Sequence, residues 1–105
     1  MKFACVAAFL AAAAIPAAAQ VNDKSLTFAC TYDTGAKKVK LLITNPNAVD
    51  RKCDISCTYT AGDKNSYLQE CKNVGVFKNA NRLEVCSDNP KGPPPLSNLK
   101  ASGKC

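Results

Sequence analysis

The cysteines constrain this chain more than any other feature. Seven occur in 105 residues. Cys5 lies in an apolar N-terminal stretch, and Cys30, Cys53, Cys57, Cys71, Cys86 and Cys105 follow it. An even set of six in a short chain reads as three disulfides, each typically adding ~2–4 kcal/mol by restricting the unfolded ensemble. A domain this small has a limited core and depends on such links. Zinc held by cysteine alone fits poorly. Cys53 and Cys57 are near each other, but no second close pair completes a four-thiolate site. Histidine is absent altogether, which excludes histidine-based acid/base catalysis, Cys–His nucleophiles and histidine metal ligands.

The stretch holding Cys5 has the layout of an export signal. Met1 and Lys2 give a minimal positive start, residues 3–15 form an unbroken apolar run, and Pro16 precedes Ala17-Ala18-Ala19. That ending is an A-x-A cleavage signal, with Gln20 as the first mature residue. The run is shorter than the about 20 apolar residues a membrane span needs, and no later segment is apolar enough to cross. Residues 1–19 are therefore expected to be a signal peptide and residues 20–105 a single disulfide-linked domain, secreted or periplasmic. Without Lys2 the remainder carries 13 basic against 8 acidic residues.

Alternation organises that remainder. Leu26, Phe28, Cys30 and Tyr32 alternate with polar or small residues, as do Val39, Leu41 and Ile43 with Lys38 and Lys40. Pairing Tyr32 with Val39, Cys30 with Leu41 and Phe28 with Ile43 places all of them on one face of a hairpin. A one-residue slip would set Lys40 opposite Cys30. The turn between them offers Gly35 for a positive φ. Asn45-Pro46-Asn47 ends the second strand. Cys53, Ile55, Cys57 and Tyr59 then share a face against Asp54, Ser56, Thr58 and Thr60. Folding the next hairpin about residue 64 sets Cys57 opposite Cys71, one of the many connectivities six cysteines allow. Gly75 reads as a bulge or bend, and Leu83 and Val85 mark a short fifth strand. Residues 87–105 form a Pro-rich tail, which Cys105 ties back as an edge strand. No helical stripe is present. The expected fold is all-β: a small antiparallel sandwich or barrel of five to six short strands, stitched by three disulfides.

No residue in this pattern is assigned to catalysis, a cofactor or a metal. Glu70 and Glu84 fall on different strands, so they make no acid/base pair. Asp33, Asp50, Asp63 and Asp88 fall at turns, where a carboxylate caps backbone amides. Nucleic-acid binding is disfavoured, because Phe28, Tyr32 and Tyr59 share the cysteine face and leave only Tyr67 and Phe77 for stacking on bases. The basic residues Lys37, Lys38, Lys40, Arg51 and Lys52 are candidates for contact with an anionic surface. The layout resembles small exported, cysteine-stitched β proteins in general, without a motif that transfers a site. The expectation is a non-catalytic binding or interaction protein of unknown partner. The alternative is a secreted cationic effector or antimicrobial protein acting at anionic surfaces.

Overall fold

A computed structural model describes residues 24–105; the leader lies outside the described residues. Six strands follow in chain order: β1 (Thr27–Asp33), β2 (Lys38–Thr44), β3 (Arg51–Thr60), β4 (Ser66–Val76), β5 (Leu83–Asp88) and β6 (Ser97–Lys104). They form two three-stranded antiparallel sheets, ordered β1-β2-β5 and β4-β3-β6. The sheets remain separate, so the fold is a sandwich and not a barrel. β1 lies beside β6, and β5 beside β4. No helix occurs among the described residues.

The first hairpin takes the register its alternation dictates, with Phe28 opposite Ile43, Cys30 opposite Leu41 and Tyr32 opposite Val39. Val39, Leu41 and Ile43 are fully buried and meet Cys53, Ile55, Cys57 and Tyr59 of β3 to form the core. Phe28, Tyr32, Leu83 and Val85 pack around it, half-buried. Lys38 and Lys40 lie on the opposite face of β2, also half-buried.

Register in the second hairpin differs from the expected one by two residues. Cys57 stands opposite Gln69, and Cys71 opposite Ile55. The turn closes around Asp63, with Ala61 N donating to Asn65 O at 3.0 Å and Lys64 at φ 70°. A shift of two keeps every side chain on its own face, so hydrophobic alternation cannot distinguish the two registers. The expected Cys57–Cys71 link is therefore not formed. Cys57 pairs with Cys30 and Cys71 with Cys86, both linking one sheet to the other, while Cys53 pairs with Cys105. All six cysteines after the leader are paired.

Two expectations for glycine also fail. β4 bulges where Asn73 (φ 56°) is the extra residue between Cys71 and Val74, whereas Gly75 sits in regular pairing opposite Lys52. In the first turn the positive φ falls on Lys37 (58°) and not on Gly35. β6 bulges at Asn98 (φ 55°). Asparagine tolerates this left-handed conformation better than most residues, so it serves where glycine was expected.

The tail is stitched back as an edge strand, as its terminal cysteine suggested. Before it reaches β6, Lys91 N donates to Tyr59 Oη at 2.9 Å and Gly62 N to Pro93 O at 2.6 Å. The Lys91 ammonium donates to Leu68 O, so a lysine occupies a carbonyl of β4. Gly103 lies against Phe28, where a Cβ would come within 2.8 Å of the ring. Its missing side chain is what lets β6 approach β1.

Candidate functional site

The segment read only as a strand terminator is the most heavily bonded polar element of the fold. Asn45 is fully buried, and its Nδ2 donates to Val49 O (3.0 Å), Phe77 O (3.2 Å) and Val76 O (3.4 Å). Its Oδ1 accepts from Asn47 N at 3.0 Å, and its own N–H donates to Ala80 O at 2.8 Å. Asn47 continues the network. It exchanges hydrogen bonds with the Lys24 backbone, at 2.6 and 2.7 Å, and its carbonyl accepts from Asn79 N at 2.9 Å. A buried amide with its donors and acceptor satisfied fixes the backbone groups around it, because breaking any bond strands a desolvated partner. Three segments thus converge at one end of the sandwich: the chain before β1, the β2–β3 loop and the β4–β5 loop.

What this knot presents outward is unlike the rest of the surface. Val49 is 49% exposed and Phe77 56% exposed, two of the three large apolar residues standing out among the described residues. Exposed Lys52, Lys78 and Arg82 stand on the same segments, with Arg51 half-buried beside them. Among the described residues of these loops Asp50 is the one carboxylate, and its Oδ1 accepts from Lys78 N at 2.8 Å. Asn79 (φ 58°) and Arg82 (φ 49°) hold the β4–β5 loop in left-handed conformations. For arginine this is an uncommon backbone that surrounding structure must enforce. A shallow depression of about 330 Å³, lined by Asp50, Arg51, Lys52, Gly75, Val76 and Phe77, opens beside the loops.

The five predicted basic candidates divide between the two ends of the fold. Arg51 and Lys52 belong to the loop end. Lys37 and Lys38 belong to the β1–β2 turn, at the far end of β2, whose seven residues span about 20 Å. Lys40 points from the outer face of the first sheet and is engaged, 2.8 Å from Asp33 Oδ2 and 3.6 Å from Glu84 Oε1. The Lys40 ammonium and the Ala36 amide hold the Asp33 carboxyl below its usual range, and the bond to Asp33 raises Lys40 in return. The β3–β4 turn repeats this with Asp63, lowered by the Tyr67 hydroxyl and the Asn65 amide. Tyr67 is raised by donating to that carboxylate at 2.5 Å. All four turn aspartates cap amides as their positions suggested: Asp33 those of Gly35 and Ala36, Asp50 that of Lys78, Asp63 that of Asn65 and Asp88 that of Asn89.

Of the two aromatics left as base-stacking candidates, Tyr67 is half-buried and stacks on Tyr59, with ring centroids 6.0 Å apart. Phe77 stays outside. Glu70 and Glu84 occupy different sheets: Glu84 faces Lys40, while Glu70 lines a second shallow depression of about 480 Å³ with Asp54, Ser56, Lys72, Ser102 and Lys104. Among the described residues no group of three or more cysteine, aspartate or glutamate side chains is placed to hold a metal ion.

Comparison with known protein families, with characterised proteins and with solved structures returns no match. The chain's own residues define a disulfide-linked β-sandwich with carboxylate-capped turns at one end and a basic, partly apolar surface at the other. Three disulfides are the mark of folding in an oxidising compartment. Among the described residues no helix is long and apolar enough to cross a membrane.

Proposed function

We propose that the chain is a small exported, non-catalytic binding protein that engages its partner through the loop end. The leader pattern of residues 1–19 and the three disulfides support the export part of this reading. One observation carries the binding part. The buried Asn45 amide gathers the Val49, Val76 and Phe77 carbonyls, so that two apolar side chains and a group of cations stand exposed together on ordered loops. Loops held on a rigid scaffold are where binding residues concentrate, and fixing them beforehand lowers the cost of association.

Photo-crosslinking in the native compartment tests this. A benzophenone side chain is placed at Phe77 in one protein and at Thr31, an exposed outer-face position of β1, in another. Adducts should form from position 77 and not from position 31. Equal yields from the two positions would defeat the reading.

A further inference from the structure

We infer that the loop end docks on an anionic lipid surface, with Phe77 and Val49 entering the headgroup layer and Lys52, Lys78 and Arg82 meeting lipid phosphates. This rests on the loop end being the binding surface and names its partner. Charge comes first. Among the described residues of the two loops Asp50 is the one carboxylate, and it accepts from the Lys78 backbone amide; no described carboxylate pairs with the side chains of Lys52, Lys78 or Arg82. Lysines and arginines this close to an anionic bilayer each add attraction, and the exposed apolar side chains add burial at the headgroup boundary.

The arrangement favours a lipid layer over a protein. Val49 and Phe77 are the two large apolar side chains exposed on these loops, and cations stand among them, whereas a protein interface normally centres on a larger, desolvated apolar patch with charges kept to its rim. A soft layer fills around such apolar tips and long cationic side chains. Gly75 leaves the floor beside Lys52 bare, since a Cβ built there meets nothing within 4 Å, so a phosphate-bearing headgroup has room next to the lysine. The opposite end is also cationic at Lys37 and Lys38, whereas Lys40 is matched by Asp33 and Glu84. The orientation is therefore set by Phe77 and Val49 and is what the turn-end variant tests.

The test uses oxidised protein recovered after export, its N-terminus established by intact mass. Co-sedimentation is measured with vesicles of phosphatidylcholine alone and of phosphatidylcholine mixed with phosphatidylglycerol. Binding should require phosphatidylglycerol and weaken steeply as salt rises from about 0.05 M to about 0.5 M, where screening lengths fall well below the size of the site. Phe77→Ser should weaken it about tenfold, in line with losing half-exposed aromatic area. Lys52→Glu with Lys78→Glu should abolish it. Lys37→Glu with Lys38→Glu, at the far end, should leave it within about twofold of the parent. Far-UV circular dichroism and melting of every variant establish that each is folded.

The outcomes separate the two levels of the argument. No binding to anionic vesicles, together with a protein adduct at position 77, overturns the lipid inference and leaves the loop end as the binding surface. Equal binding to neutral vesicles, or an equal loss in the turn-end variant, also overturns it. Neither vesicle binding nor preferential adducts at position 77 removes both. Anionic-lipid binding that depends on Phe77, Lys52 and Lys78 sustains both.

Discussion

The two ends of the sandwich solve the same problem with different chemistry. At the turn end, the β1–β2 and β3–β4 connections are closed by carboxylates reaching amides two or three residues away, Asp33 to Gly35 and Ala36, Asp63 to Asn65. Those carboxylates also absorb nearby donors, Lys40 and Tyr67. At the loop end the main tying group is a neutral amide, Asn45, whose partners lie as far as 32 residues away in sequence, with Asp50 adding one bond from Lys78 N. A carboxylate cap spends local charge on local structure. A neutral amide orders its loops without consuming charge, and no described carboxylate pairs with the side chains of Lys52, Lys78 or Arg82. The difference separates an end whose turns are closed by their own carboxylates from one whose loops display Val49 and Phe77 beside exposed cations.

The largest expected effect comes from removing what makes the two ends parts of one body. The disulfides close loops of 27, 52 and 15 residues, worth about 3–4 kcal/mol each on a chain-entropy estimate. Together they match or exceed the ~5–10 kcal/mol stability of so small a domain. Full reduction should therefore unfold both ends at once, with near-UV circular dichroism lost in a single transition. Survival of either end's tertiary signal in the reduced protein would show two independent units.

Next in size is the amide itself. Asn45→Ala removes three donated bonds and one accepted bond at a fully buried side chain and strands the buried Val76 carbonyl. A loss of ~2–4 kcal/mol is expected in chemical denaturation of the oxidised protein. Hydrogen exchange should rise first at Asn47, Asn79 and Ala80, while the turn end keeps its protection. Uniform loss of protection would deny that the knot acts locally.

Asn45 also marks the boundary of what the chain's pattern reveals. The first hairpin is legible to the residue because alternation and Lys40 exclude a one-residue slip and the short turn between Asp33 and Lys38 leaves little room for a shift of two. The face of each β3 residue is legible for the same reason. The cysteine pairing is not, because it follows from how the two sheets stack and from a two-residue register choice to which alternation is blind. The loop end was half visible. Arg51 and Lys52 stood out by charge and Phe77 as an unplaced aromatic. An asparagine flanking a proline looks like any turn residue until the loop that satisfies it, more than 30 positions on, is in place. Its one available signal was the pair of amide side chains bracketing Pro46.

pH distinguishes the ends more gently. Asp33 and Asp63 hold protons less tightly when folded, so they add stability above the ordinary aspartate value of 3.8 that is lost as pH falls through their folded pKa. Lys40 and Tyr67 hold protons more tightly when folded. Their contribution stands below 10.5 and 10.0 respectively and is lost as pH rises through the folded values. Stability should therefore be flat between these limits. In amide NMR, Gly35, Ala36 and Asn65 should titrate with acidic midpoints below the ordinary aspartate value, while Asn47 and Ala80, bonded to neutral groups, should not move. Matching acid titrations at Ala80 would dissolve the contrast between charged and neutral ties.

The smallest effect uses the two glycines that each end exposes. Gly75 pairs regularly with Lys52, has no positive φ, and looks onto open space. A β-branched side chain there lowers the unfolded chain's entropy and suits a strand, so Gly75→Thr should stabilise the oxidised protein by ~0.5–1 kcal/mol. Gly35 is different. Its amide is capped by Asp33 Oδ1, and a Cβ would sit 3.4 Å from that same oxygen, so Gly35→Thr should bring no such gain. Denaturation midpoints of the two variants decide it. A gain at position 75 alone means the loop end keeps a bare, unstrained floor that folding does not require. A loss there would mean that Phe77 or the Lys52 stem already lies across Gly75 in solution, closing the depression and weakening the case that the end is built to be occupied.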